Sequence, residues 1–393
     1  MHNYYDVIVI GAGPAGSLAA KTIAEAGISV CLVERKKVIG APLHCAEGIS
    51  QESLPRFIEP DKRWISARIN GAKLYTPDNT EVNVSWPKVG YVLNRKIFDQ
   101  ELAQRALLAG AEISLETQAV GLRKGDKNLE VKLDRKGEKL SVKTQLVIGA
   151  DGIESVVGKW AGIKTTLNLS DLHSCAQYLL DNIEIESDKV IFFVGREIAP
   201  GGYAWVFPKG KGTANVGLGI VGTEVISKKP IEYLKEFVNT KFPKGKILEV
   251  VAGGTPASNA PHPLVADGLL LVGDAGRLTD PLSGAGIANA LISGEMAGKV
   301  AIEALRKKNT SKNVLSKYEK GWRKTEGKEL KFHAAVRKVF LKLKDEEMNL
   351  IGKLIVNLLK DKDPSKINPV DFCKAVIRSD PKILLLGKHL LRC

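Results

Sequence analysis

The sequence predicts an α/β fold: a Rossmann-type domain with a parallel sheet, interrupted by a second, mixed β-sheet and followed by a C-terminal helical region. Three observations predict it. The chain opens with an apolar strand, a glycine-rich turn, a helix and a second apolar strand. Two later apolar runs, near residues 146–150 and 268–273, also end in glycine-containing turns. Residues 306–393 carry apolar side chains at helical spacing.

The first unit has the features of a dinucleotide site. An apolar run at 7–10 leads into Gly-Ala-Gly-Pro-Ala-Gly, and a second run at 28–33 ends in an acidic residue eighteen positions after the last glycine. Such glycines allow a tight turn, close approach of a pyrophosphate and close packing of helix on strand, while the acid binds a ribose hydroxyl. The helix N-terminus faces the phosphates. The predicted site comprises Gly11, Gly13, Ala15, Gly16 and Glu34.

Two later motifs complete a family pattern. Ala150-Asp151-Gly152 follows the second apolar run, and Gly273-Asp274 follows the third, with more glycines before a final helix. Together with the first unit they resemble the fingerprints of the p-hydroxybenzoate hydroxylase-like FAD flavoproteins. The resemblance implies a Rossmann-type FAD-binding domain. It also implies that Asp274 binds the ribitol, Gly286 and Ile287 lie beside the isoalloxazine ring, Arg95 lies near the phosphates, and the backbone of Ala119 meets the adenine.

An aromatic row marks the second sheet. Tyr203, Trp205 and Phe207 stand at i, i+2 and i+4, so on a strand their side chains share one face. Such a row either lines a wall for an extended hydrocarbon or packs the domain core, and spacing alone leaves both interpretations open.

The whole pattern around that row, Pro-x-x-Tyr-x-Trp-x-Phe-Pro at 200–208, resembles the signature of the geranylgeranyl reductase family. The same family carries a Cys-x-x-Gly beside the flavin, matched here by Cys45, Ala46 and Gly48. The nearest resemblance is to the archaeal branch that saturates geranylgeranyl chains of isoprenoid membrane-lipid precursors. The resemblance therefore implies an FAD-dependent oxidoreductase acting on CH–CH groups in lipid and phospholipid biosynthesis.

Saturating an isolated alkene requires a hydride, here from N5 of reduced FAD, and a proton. Cationic character develops in a dry site, and aromatic faces stabilise it by roughly 0.5–2 kcal/mol per contact. Candidate proton donors are Cys45, Tyr203 and ordered water, since a free thiol is mostly protonated near neutral pH. The alternative for Cys45 is a small packing residue at the flavin edge.

Two other functions are alternatives. An FAD-dependent aromatic or polyketide monooxygenase is disfavoured because Gly276-Arg277 stands where hydroxylases commonly have histidine. A quinone-linked electron-transfer flavoprotein would carry a cysteine-ligated iron–sulfur segment, and the sequence shows none. The sequence also shows no second GxGxxG unit for NAD(P)H, so the electron donor is expected to be ferredoxin, a deazaflavin or NADPH binding transiently.

The resemblance sets the expected domain bounds. Residues 1–65, 92–165 and 255–310 are predicted to form the discontinuous FAD-binding domain. Residues 66–91 and 166–254 are predicted to form the substrate-binding β-sheet domain, and 311–393 a basic helical region.

Charge is concentrated in the last part of the chain. The net charge is +14, and residues 306–393 contribute +13 of it. Helical apolar spacing there predicts contact with an anionic membrane surface, a helical cap with a solvated basic face, or both, and no nucleic-acid module is recognisable. Five cysteines without metal-ligand spacing predict a reducing compartment and no metal site. We expect a cytoplasmic monomer, peripheral at the inner face of the membrane.

Overall fold

The structure is a computed structural model that describes residues 1–42, 45–125 and 128–360. Two compact units divide these residues. The first takes in 1–42, 95–168 and 256–331, and the second 45–94, 169–255 and 332–360.

The described strands and helices follow the predicted α/β order. The strands are β1 Tyr4–Ile10, β2 Val30–Val33, β3 Gly48–Ser50, β4 Ile65–Tyr75, β5 Glu81–Leu93, β6 Glu112–Ser114, β7 Thr117–Lys124, β8 Leu129–Arg135, β9 Glu138–Gly149, β10 Leu172–Asp181, β11 Lys189–Phe193, β12 Tyr203–Gly210, β13 Thr213–Val221, β14 Lys246–Pro256, β15 Val265–Ala266 and β16 Leu269–Leu271. The helices are α1 Pro14–Glu25, α2 Arg95–Leu108, α3 Val156–Trp160, α4 Pro230–Lys241, α5 Ile287–Arg306, α6 Lys312–Lys324, α7 Glu326–Phe340 and α8 Asp345–Leu359.

The first unit is built on a sheet in the order β15-β16-β9-β1-β2-β6, with β7 and β8 continuing antiparallel from β9. Strands β16, β9, β1, β2 and β6 run parallel. One face of β1, with Val7 and Val9, packs with α1 and α5, and the other, with Ile8 and Ile10, packs with apolar residues of β8 and β16. Burial on both faces explains why these strands are apolar throughout rather than alternating.

Close helix packing fixes the N-terminal turn within this unit. A Cβ on Gly294 of α5 would lie 2.2 Å from the carbonyl oxygen of Ala15 in α1, and one on Gly298 would lie 2.9 Å from Thr22 Cβ. Glycine at both positions therefore lets α5 lie directly against α1.

The second unit is built on a mixed sheet in the order β14-β10-β13-β12-β11-β4-β5-β3. Its core lies on one face, where Ala204, Val206, Val216 and Leu218 pack with Leu234 of α4. Because side chains alternate along a strand, the neighbours of these residues in sequence lie on the opposite face.

The predicted α/β fold class, with its interrupted Rossmann-type domain and C-terminal helices, is confirmed. Helix α2 begins at Arg95. Residues 45–65 lie in the second unit, because β3 pairs with Gly90, Tyr91 and Val92 of β5. Part of the predicted FAD segment 1–65 therefore clusters elsewhere, and the predicted C-terminal region 311–393 is divided after residue 331.

The predicted helical spacing of the C-terminal region corresponds to α7 and α8. Residues 361–393, which carry part of the predicted basic region together with Cys373 and Cys393, lie outside the described residues. Among the described helices, none combines the length and apolar character that crossing a bilayer requires.

Candidate functional site

The glycine-rich turn of the first unit leaves space where a pyrophosphate would approach. Gly11 has φ +105°, and a Cβ there would lie 2.3 Å from the carbonyl oxygen of Ala150. A Cβ on Gly16 would lie 1.9 Å from the carbonyl oxygen of Gly11. By contrast, a Cβ on Gly13, the N-cap of α1, would meet nothing within 4 Å. Two glycines are therefore required by the protein itself, while the third faces open space at a helix N-terminus suited to an anion.

Glu34 directly follows β2, and its carboxylate is held by two backbone donors. The amide of Ala12 donates to Oε2 at 2.9 Å, and the amide of Lys36 donates to Oε1 at 2.9 Å. A carboxylate accepts about four hydrogen bonds, so lone pairs remain for the hydroxyls of a ribose.

Asp274 lies in the turn after β16. Thr279 Oγ1 donates to its Oδ1 at 2.5 Å, and burial raises the pKa of Asp274 while the positive charge of Arg95 opposes that rise. A Cβ on Gly286 would lie 3.5 Å from Asp274 Oδ1, so the start of α5 passes beside this carboxylate. Gly286 is the N-cap of α5, and Ile287 is its buried first residue. The structure thus brings Asp274, Gly286 and Ile287 together.

Arg95 begins α2 and pairs with Asp99, through Nη2 to Oδ2 at 2.7 Å and Nε to Oδ1 at 3.2 Å. The positive charge of this guanidinium acts on the Asp274 carboxyl and opposes the rise in its pKa. Ala119 lies on β7 beside a bulge. It pairs with Leu133 of β8, but the next pair is Gly121 with Lys132, so β7 has one extra residue at this point. The bulge frees local backbone groups from the ladder, as a backbone contact to adenine requires.

One buried group in this unit was not predicted as a site residue. Asp151 Oδ2 accepts the amide of Val157 at 3.0 Å, whereas its Oδ1 is buried without a hydrogen-bond partner in the described part of the chain. Burial raises the pKa of this carboxyl. The open Gly13 position, the anchored Glu34 and this unsatisfied oxygen all fit a bound dinucleotide such as FAD.

The aromatic row, Tyr203, Trp205 and Phe207 on β12, lies on the sheet face opposite α4. Facing Tyr203 and Trp205 across the antiparallel register are Gly219 and Gly217 of β13. A Cβ on Gly217 would lie 2.5 Å from Trp205 Cζ2, so glycine lets the indole lie against the sheet. Phe192 of β11 extends the row, with ring centroids 5.5 Å from Tyr203 and 5.6 Å from Phe207. The three aromatic side chains are therefore not part of the apolar core around α4. This favours the interpretation that they line a wall for an extended hydrocarbon.

Residues 45–48, called here the 45–48 segment, are in contact with this row. Trp205 Nε1 donates to Gln177 Oε1 at 2.9 Å, and Gln177 Nε2 donates to the carbonyl oxygen of Cys45 at 3.1 Å. A Cβ on Gly48 would lie 2.7 Å from Phe207 Cε2. The predicted Cys-x-x-Gly and the aromatic row thus form one cluster within the second unit. His44, which precedes this motif in the sequence, lies outside the described residues.

A buried ion pair holds the 45–48 segment to the sheet. Glu47 is 4 % exposed with φ +74°, and its Oε2 accepts Lys209 Nζ at 2.5 Å and Asn215 Nδ2 at 2.7 Å. The Lys209 ammonium also donates to the carbonyl of Leu93. The amide of Glu47 donates to Cys45 Sγ at 3.2 Å. The ion pair therefore fixes Glu47, whose backbone amide contacts the Cys45 thiol.

Sequence reasoning did not identify Gln177, Lys209 or Asn215. The available signal was position: Lys209 directly follows the aromatic pattern, and Glu47 lies inside the Cys-x-x-Gly motif.

Three cysteines are described, and their surroundings differ. Burial raises the pKa of Cys31 to about 12 and that of Cys175 to about 12. Cys45 is half-buried. A buried thiol with a raised pKa is inert, so Cys45 is the described cysteine best placed for chemistry.

Comparison with known proteins agrees with this geometry. Residues 171–255 match the family model of the geranylgeranyl reductase catalytic domain, and residues 6–63 match that of an FAD binding domain. The digeranylgeranylglycerophospholipid reductase of Methanosarcina acetivorans is 44% identical over 98% of this chain and 95% of its own. Reductase 2 of Methanococcoides burtonii is 43% identical, with the same two shares. The chain belongs to the digeranylgeranylglycerophospholipid reductase family.

Solved structures share the fold of this reductase family member. The geranylgeranyl bacteriochlorophyll reductase-like protein of Thermoplasma acidophilum superposes with a TM-score of 0.92 at 33% identity, covering 99% of both chains. The flavin-dependent brominase Bmp2 superposes with a TM-score of 0.71 at 17% identity, over 96% of this chain and all of that one, and shows the fold alone.

The two matched segments of this family member contain the clusters described above. Residues 6–63 include the glycine turn, Glu34 and the 45–48 segment, and residues 171–255 include the aromatic row with Gln177, Lys209 and Asn215. The predicted cofactor, FAD, is confirmed by the first match. The roles of the individual residues remain predictions.

Proposed function

We propose that the chain is an FAD-dependent reductase that saturates C=C bonds of geranylgeranyl chains in the precursors of archaeal isoprenoid ether lipids. The observation that carries this function is the contact between the aromatic row and the 45–48 segment through Gln177. The aromatic row and the thiol-bearing segment lie together on the sheet face opposite α4, which supports a wall for the prenyl chain next to the thiol.

Reduced FAD, when bound, supplies the hydride that saturation requires. The chain's own residues would supply the other needs of the reaction. Tyr203, Trp205 and Phe207 would hold the prenyl chain, exclude water and stabilise developing positive charge with their ring faces. The proton would come from Cys45 Sγ, from Tyr203 or from water. Glu47 and Gln177 would orient Cys45 through its Sγ and its carbonyl oxygen.

Anaerobic reduction tests the function directly. Protein loaded with FAD and reduced with dithionite is mixed with a soluble geranylgeranyl compound, and the product is analysed by mass spectrometry. We expect flavin reoxidation with gain of two hydrogens per saturated bond in the absence of oxygen. Oxygen-dependent product carrying an added hydroxyl would instead show a monooxygenase.

Replacing Cys45 by serine tests the proton donor. The substitution keeps a small polar side chain, so we expect FAD to remain bound while flavin reoxidation by substrate slows at least ~10-fold. Cys31→Ser is the matched control, since that thiol is buried in the core of the first unit with its pKa raised to about 12. Reoxidation of the Cys45 variant at the parent rate would leave Cys45 as a packing residue.

Trp205→Ala tests the wall. Loss of the indole should open the row and lower turnover of long prenyl chains more than that of short ones, with FAD retained. Trp205→Phe separates two effects, because it keeps a ring but removes the donor to Gln177. Val206→Ala on the same strand is the control for core packing. Equal losses on long and short chains would contradict a wall.

We also propose that the protein works as a monomer at an anionic membrane surface, receiving electrons from ferredoxin, a deazaflavin or NADPH. The support is the +13 charge of residues 306–393, since each well-placed cation contributes about 1 kcal/mol to binding. We expect co-sedimentation with anionic vesicles at low ionic strength, release at high salt, and little binding to neutral vesicles. The triple variant K382E/K388E/R392E should weaken this binding; unchanged binding would exclude those residues.

A further inference from the structure

A buried arginine lies near the Tyr203 end of the aromatic row. Arg337 of α7 is 6 % exposed, and its Nη2 donates to the carbonyl oxygen of Ser170 at 2.9 Å and to His173 Nε2 at 3.3 Å. Its Nε is buried with no hydrogen-bond partner among residues 1–42, 45–125 and 128–360.

The charge of Arg337 has no close counter-ion. No carboxylate of the described chain lies within 4.0 Å of the guanidinium, and Asp171 acts on it only through longer-range attraction. His173 is uncharged at neutral pH. Burial lowers its pKa to about 4, and the positive charge of Arg337 contributes to the decrease. A buried, unpaired cation is costly, and a guanidinium offers five donors in a planar fork suited to a phosphate.

The register of the sheet places this arginine relative to the aromatic row. His173 of β10 pairs with Val221 of β13, whereas Tyr203 pairs with Gly219, two residues earlier on the same strand. His173, Cys175 and Gln177 succeed one another on one face of β10, and Gln177 reaches both Trp205 and the carbonyl of Cys45. Four residues of strand separate His173 from Gln177, which corresponds to about 13 Å.

We propose that Arg337 is the binding site for the phosphate of the lipid substrate. The proposal rests on the proposed function and adds an orientation to it. The anionic headgroup binds at the Arg337 end of the face, and the prenyl chain extends along the aromatic row toward the 45–48 segment. The site takes a phosphate monoester or diester attached to glycerol, and the unused donors of Arg337 supply its hydrogen bonds.

Two matched substrates test the proposal: digeranylgeranylglycerol bearing a phosphate, and the same lipid without it. The measured quantity is the ratio of kcat/KM for the two. Wild-type protein should favour the phosphate-bearing lipid at least 10-fold. Arg337→Met should lower this ratio roughly 10- to 100-fold, as expected for the loss of charge-assisted hydrogen bonds. Arg337→Lys should restore part of it.

The controls distinguish the outcomes. Arg196→Met removes an exposed arginine whose Nε contacts the Leu343 carbonyl, and should leave the ratio unchanged. Equal wild-type rates on both lipids would overturn the proposal even if Arg337→Met does not fold. A ratio unaltered in Arg337→Met would make the arginine structural. Failure of wild-type protein to reduce either lipid would instead refute the proposed function.

Discussion

Gly16→Ala is expected to abolish FAD binding and to destabilise the protein without cofactor. The new methyl group would lie 1.9 Å from the carbonyl oxygen of Gly11 and 3.1 Å from the Cβ of Ala150. The first neighbour is backbone, so no flexible side chain can move aside, and α1 must shift. Overpacking of a tight site costs about 1–3 kcal/mol or more. FAD content after purification and the thermal midpoint of the apoprotein measure both effects.

Gly13→Ala is the matched comparison, three residues away in the same turn. A Cβ there meets nothing within 4 Å, so the apoprotein should unfold at the parent temperature. FAD binding should nevertheless weaken, because the methyl group would occupy the space into which a pyrophosphate fits. Parent FAD affinity in Gly13→Ala would show that the phosphates lie elsewhere.

Glu47→Gln is expected to lower the free energy of unfolding by about 3–5 kcal/mol, because it leaves the Lys209 ammonium buried without its carboxylate. The side chains are only 6% and 12% exposed, respectively, so solvent cannot replace the lost charge. Denaturant unfolding measures the change. Glu25→Gln breaks the more exposed pair between Lys21 and Glu25 and should cost under ~0.5 kcal/mol.

The double variant Glu47→Gln/Lys209→Met separates the effect of losing the ion pair from the effect of leaving one buried charge without its partner. Removing both charges should recover much of the stability lost in Glu47→Gln, since no unpaired buried charge remains. Additive losses in the double variant would contradict direct coupling.

The fold was predictable where local chemistry dictates it. The turn from Gly11 to Gly16 requires glycine for contacts that lie within a few residues or on the adjoining strand, so its motif is readable. The pairing of β3 with β5 was not readable, since it depends on a three-residue strand distant from its partner. That pairing carries residues 45–65 into the second unit rather than the first.

The site was predictable in its motifs and not in the polar residues that support them. Trp205 and Cys45 belong to recognisable patterns, whereas Gln177 joins them only through two hydrogen bonds across the sheet. Arg337 was not singled out either, because an arginine in a basic region is most often solvated. Its burial and unpaired Nε depend on tertiary packing.

The interleaving of the two units governs when each can fold during synthesis. The parallel sheet of the first unit joins β1 to β9 and β9 to β16, so its central strands come from the beginning, middle and later part of the chain. The apolar strand β1 leaves the ribosome long before either β9 or β16 exists. Closing such distant pairs is slow, because loop entropy is lost before the contacts form. The nascent chain therefore carries apolar strands with one edge unpaired, β1 until β9 is made and β9 until β16 is made, and protection from aggregation in that interval becomes a requirement of this topology.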